Sequence, residues 1–81
     1  MKQQKTVRKF VVCIRNEGSD DLVRGKVYPV LPDTSAARSN YLRVVDESGE
    51  DYLYPAKFFV PISLPIAARR ALVATARLAT A

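Results

Sequence analysis

Four carboxylates, Asp46, Glu47, Glu50 and Asp51, stand within six residues directly ahead of Tyr52 and Tyr54. Acids grouped this closely can gather a cation, act as a general acid and base, or solvate the tip of a hairpin. A calcium loop needs oxygen ligands at alternating positions along a longer stretch, which these four do not supply. The chain has no histidine to add to a metal site or to share proton transfer, so acid–base work would fall to carboxylates, lysines or tyrosines. Nothing near these acids in the sequence would raise a carboxyl pKa, and paired carboxylates acting on a glycoside need a cleft that a domain this small seldom has. The expectation is a solvated hairpin tip, with no metal, no cofactor and no catalytic residue.

The remaining chemistry-bearing residues point the same way. Cys13 is the single cysteine; it lies among apolar strand residues, as a small core side chain does, and it excludes an intramolecular disulfide. Gly18, Gly25 and Gly49 are the only glycines and form no phosphate-cradling loop. The opening "MKQQKTVRKF" is basic, but the apolar run "FVVCI" that overlaps its end is too short for a signal-peptide core or a membrane span. A non-enzymatic, cytoplasmic protein with no membrane contact is expected.

The elements that must position these residues come as five short bursts rich in Val, Ile, Tyr or Phe: "RKFVVCIR", "GKVYPVL", "NYLRVV", "DYLY" and "FFVPI". At 81 residues there is room for one domain, and the spacing suggests an all-β, five-stranded small barrel. "NEGSDDLVRG" and "PDTSAARSN" read as surface loops. The acidic tip sets a register. A two-residue turn at Ser48 and Gly49 would stack Glu47 on Glu50 and Asp46 on Asp51. A three-residue loop, with Glu47 and Ser48 in a type I turn and Gly49 in the left-handed region, avoids this and places Asp46 where its side chain accepts a backbone N–H. Val44 then faces Tyr52, Arg43 faces Leu53 and Leu42 faces Tyr54. On that pattern Val11, Cys13, Tyr28, Tyr52 and Tyr54 point inward, and Tyr41 is the exposed aromatic.

Residues 62–81 turn alanine-rich and glycine-free. They read as a helix of about four turns or a frayed tail, capped at Ser63 or Leu64, with Pro65 in the first turn. Arg69, Arg70 and Arg77 would share one side with Ile66 and Val73. Ala67, Ala68, Ala71 and Leu72 would lie on the opposite, docking side.

The succession of a long loop, "GKVYPVL", a polar loop, a hairpin and "YLYPAKFFV" resembles the Src homology 3 (SH3) barrel over residues 10–62. In that fold an aromatic-Pro step, a 3₁₀ turn and a last strand close the chain. More narrowly, "CIRNEG", "GKVYPVL" and "RVVDESGEDYLYP" look like a family of small uncharacterised bacterial and phage-borne proteins with SH3-like barrels. The resemblance divides the chain into a basic segment 1–9, an SH3-like barrel 10–62 and an Ala/Arg-rich tail 63–81. It also implies a partner-binding rim where the two loops and the 3₁₀ turn converge: Glu17, Asp20, Asp21, Arg38, Pro55 and Phe58. The groove of peptide-binding members carries a tryptophan at the start of the third strand, a residue type this chain lacks.

Net charge is +5 overall, but it divides into +4 over residues 1–9, −2 over 10–61 and +3 over 62–81. The basicity belongs to the termini, so a weak nucleic-acid contact would reside there. A protein partner is the first expectation, with the rim's three acids suited to a basic segment and the hairpin tip at the far end of the molecule.

Overall fold

The computed structural model describes the backbone of residues 9–80 and side chains as far as Val73. It holds five strands, β1 (Lys9–Cys13), β2 (Val27–Leu31), β3 (Tyr41–Val45), β4 (Asp51–Pro55) and β5 (Phe59–Ile62), with helices α1 (Thr34–Arg38) and α2 (Ile66–Thr80). A 3₁₀ turn, Ala56–Phe58, joins β4 to β5. All strand pairings are antiparallel, in one sheet of order β4-β3-β2-β1-β5, so β4 and β5 are its two edges. No helix among the described residues is long and apolar enough to cross a membrane.

Period-two alternation builds the core. Val11 and Cys13, Tyr28 and Val30, Val44, and Phe59 point from their strands to one face and are buried, joined by Leu22 and Phe58 and flanked by Leu42 and Tyr54. Tyr52 shares that face but sits on the edge strand and is 49 % exposed, which corrects its expected inward position. Leu22 was hidden in a polar loop. Its burial, with Asn16 Nδ2 donating to the Leu22 carbonyl at 3.1 Å, folds the first loop back on the sheet. Pro29 lies inside β2, and the β2–β3 ladder holds only Val30↔Val44 and Leu31↔Arg43. The next pair would need the N–H that proline lacks.

The β3–β4 hairpin has the expected register, with Leu42↔Tyr54, Arg43↔Leu53 and Val44↔Tyr52. Gly49 adopts φ 85° and its N–H reaches the Asp46 carbonyl at 3.0 Å, while Asp46 N–H reaches the Glu50 carbonyl at 3.1 Å. That is a type I turn followed by a left-handed residue, a conformation glycine adopts without a Cβ penalty.

Two segments depart from expectation. "PDTSAARSN" is not wholly loop: Asp33 caps α1 by accepting from Ala36 N–H at 2.9 Å, and Asn40 at φ 61° turns the chain into β3. An aspartate at the cap satisfies a donor that would otherwise be unpaired. At the other end α2 begins at Ile66, and Pro65 supplies the first helical acceptor, bound by Arg69 N–H at 2.9 Å, so the start lies beyond Ser63 and Leu64. Ala68, Arg69, Leu72 and Val73 are its half-covered residues, whereas Ala67 and Ala71 are exposed. The arginine expected on the outer side instead rests its guanidinium over the Phe10 ring, 5.8 Å from the centroid, a cation–π contact that lets a charged residue lie on a docking face.

Candidate functional site

Each carboxylate of the acidic run has a partner inside the molecule. Asp46 is only 5 % exposed and accepts from Ser48 N–H at 2.9 Å, Ser48 Oγ at 2.5 Å and Tyr54 OH at 2.5 Å. Glu47 accepts from Tyr28 OH at 2.5 Å and pairs with Lys26 Nζ at 2.6 Å. Tyr52 OH donates to Glu50 at 2.8 Å, and Arg43 bridges Asp51 at 3.1 Å and Asp33 at 2.8 Å. The tip therefore stays solvated at Glu47, Ser48 and Glu50, as read from the sequence, but Asp46 at its base is buried in a carboxylate–tyrosine clamp. Tyr54 supplies the hydroxyl that the Asp46 carboxylate needs once water is excluded.

The electrostatics agree. Lys26 and Tyr28 hold the Glu47 carboxyl below its ordinary range. Burial first, and then the donated bond to an ionised acid, pushes the Tyr28 and Tyr54 hydroxyls well above the usual phenol range. These phenols stay protonated and serve as donors. The Cys13 thiol is raised by burial, with its Sγ–H donating to the Arg15 carbonyl at 3.2 Å, so it is held as a thiol.

The six rim residues fall in different places. Asp21 lies at the hairpin tip, because Glu47 N–H donates to its carbonyl at 2.9 Å. The tip and the first loop thus meet, against the expectation that they occupy opposite ends. The reason is Leu22, whose burial brings the Asp21 main chain against the tip while the residue itself stays exposed. Glu17 stays with the 3₁₀ turn: it pairs with Arg15 at 3.2 Å, and its own backbone N–H, that guanidinium and the Lys57 charge lower its carboxyl. Asp20 is exposed in the loop between them. Phe58 is 7 % exposed, its ring capped by the Arg15 guanidinium 6.0 Å from the centroid, so it provides core and not open apolar area. Only Pro55 and Arg38 share one end of the sheet: Pro55 faces Tyr41 across the β3–β4 ladder, and Ala56 N–H binds the Asn40 carbonyl at 2.9 Å two residues beyond Arg38.

Tyr41 is the residue the rim assignment left out. It is 41 % exposed at the head of β3 and lines an open cleft of about 180 Å³ with Lys9, Leu31, Pro32, Ala37 and Arg43. Its signal was present, as an aromatic outside the inward phase. The charge here is basic: Lys9, which lines the cleft, and Arg38, next to Ala37, belong to no ion pair among the described residues, whereas Arg43 is neutralised by Asp33 and Asp51. The terminal basicity expected of residues 1–8 lies outside the described residues. No family model, no curated protein and no solved structure matches this chain.

Proposed function

We propose that this chain is a non-enzymatic protein-interaction module on an SH3-like barrel. It takes an acidic segment with an apolar anchor at the end of the sheet where Tyr41 faces Pro55. The supporting observation is that cross-strand pair. Tyr41 opens β3, where groove-bearing barrels carry their tryptophan, and Pro55 matches a groove position. Support for the barrel comes from the 3₁₀ turn after Tyr54-Pro55, from β5 returning to β1, and from the Tyr54 and Phe59 rings meeting edge-on at 6.2 Å between the two edge strands.

The cleft beside Tyr41 offers Pro32, Ala37 and the Tyr41 ring to an apolar side chain, and Lys9 and Arg38 offer steering to acids around it. This reverses the charge preference read from the rim's acids, because Glu17 is paired with Arg15 and Asp21 is held at the hairpin tip by its backbone. The test is selection of peptides from a random library against the full chain, followed by amide-shift mapping with the best binder. Acidic binders should shift Tyr41, Arg43 and the neighbours of Pro55, and Tyr41→Ala should weaken them by about tenfold or more. Shifts centred on the first loop, or binders that are mainly basic, would refute it. A duplex or single-stranded RNA titrated in parallel serves the alternative, a weak nucleic-acid contact through the basic termini, which predicts a steep loss of affinity with salt.

A further inference from the structure

The two sheet edges are not protected alike. Asp46 N–H bonded to the Glu50 carbonyl and Ala56 N–H bonded to the Asn40 carbonyl frame the β3–β4 ladder. Hydrogen-bonded pairs alternate along an antiparallel ladder, so Tyr52 and Tyr54 direct their main-chain groups at β3. Leu53, between them, directs its N–H and C=O to the open side. On β5, Ile14 N–H bonded to the Phe58 carbonyl at 2.7 Å sets the same alternation, and Val60 and Ile62 direct their groups at β1. The residue between those two is Pro61. It has no N–H, so β5 is blunted at its centre, a common device against edge pairing. β4 has its proline only at the end, at Pro55, and keeps Leu53 open, with a side chain 47 % exposed.

We propose that the β4 edge is a self-association site that pairs antiparallel with β4 of a second copy of this chain, about a two-fold axis at Leu53. The two copies of Leu53 would exchange N–H and C=O in a closely spaced pair, and their side chains would meet on one face. Charge pattern selects this occupant. β4 carries one charged residue, Asp51 at its first position, and ends in the neutral Pro55. A two-fold axis at Leu53 places Tyr52 opposite Tyr54 of the second copy, and Asp51 opposite Pro55, whose carbonyl can accept but which has no N–H to return, so the Leu53 pair carries the centre of the ladder. No like charges oppose, as cross-strand pairing requires, and aromatic meets aromatic. The proposal goes beyond the peptide-binding reading and does not rest on it.

Sedimentation equilibrium of the full chain, from about 10 µM to about 1 mM, covers the affinities of small interfaces. The weight-average mass should rise from one chain toward two. Leu53→Pro removes the central N–H, and Leu53→Lys sets two charges face to face without touching the core; each should remain monomeric throughout, with an unchanged circular dichroism spectrum. Should the proline variant unfold, the lysine variant decides. Val60→Lys, an exposed change on the blunted edge, should associate as the parent does. A parent chain monomeric at every concentration, a Leu53→Lys variant that still dimerises, or equal loss in Val60→Lys would each overturn the proposal.

Discussion

Replacing Asp46 by alanine tests whether the acidic run is structural. The carboxylate is buried and accepts three hydrogen bonds, from Ser48 N–H, Ser48 Oγ and Tyr54 OH. Bonds to a charged group contribute about 1.5–3 kcal/mol each, but those from Ser48 are local and can be replaced by water. The Tyr54 hydroxyl is half-buried and only partly regains water. A loss of about 3 kcal/mol for the whole change is the reasonable sum. A domain of this length has about 4–12 kcal/mol in total, so the variant should stay folded when cool, with a Tm lower by about 12–24 °C. Urea denaturation followed by circular dichroism reads the loss directly, with an unchanged m-value if the folded state is otherwise intact. Tyr54→Phe alone should cost about 1 kcal/mol, and the double variant should cost less than the two single losses added, because both remove one contact. An Asp46→Ala loss below about 0.5 kcal/mol, the level of an ordinary surface change, would refute the clamp and return Asp46 to the solvated tip.

The depressed Glu47 carboxyl makes stability pH-dependent. Its contribution is fully present above the unfolded glutamate value of about 4.3 and is lost as pH falls through the lower folded value, so Glu47→Gln should flatten the acid limb of the stability curve below about pH 4.5. Gly49→Ala places a Cβ at φ 85° and should destabilise by about 1–2 kcal/mol, read by the same urea titration. Cys13 should react with a thiol reagent far more slowly than free cysteine at pH 8, and at the full rate in denaturant, since burial raises its pKa and covers the sulfur. Rapid labelling of the folded chain would show that the β1 core opens.

Local chemistry made part of this molecule legible in its sequence. The three-residue turn followed from Gly49 and from like-charge avoidance, and the pairing of Val44 with Tyr52 and Leu42 with Tyr54 followed by counting. Val11 and Cys13 were legible as inward because alternation along a strand needs no knowledge of what lies opposite. The candidate site was legible only in fragments. Pro55 and Arg38 share one end of the sheet, but Tyr41 completes that end and Phe58 does not belong to it.

Alternation assigns a side chain to a face but not a depth to that face. Asp46, in an acidic hydrophilic run, is buried because Tyr54 and Ser48 supply its hydrogen bonds, while Tyr52, one step from the core in pattern, stays open because its strand is an edge. Leu22 decides where Asp21 goes, and it does so through long-range packing that no neighbouring residue announces. Arg69 turns toward the sheet because Phe10 presents a ring there, a partner nearly sixty positions earlier in the chain. Turns and registers depend on residues a few positions apart and are written locally. Burial, ion pairing and the gathering of a site depend on which distant surfaces meet, and only the tertiary structure decides that.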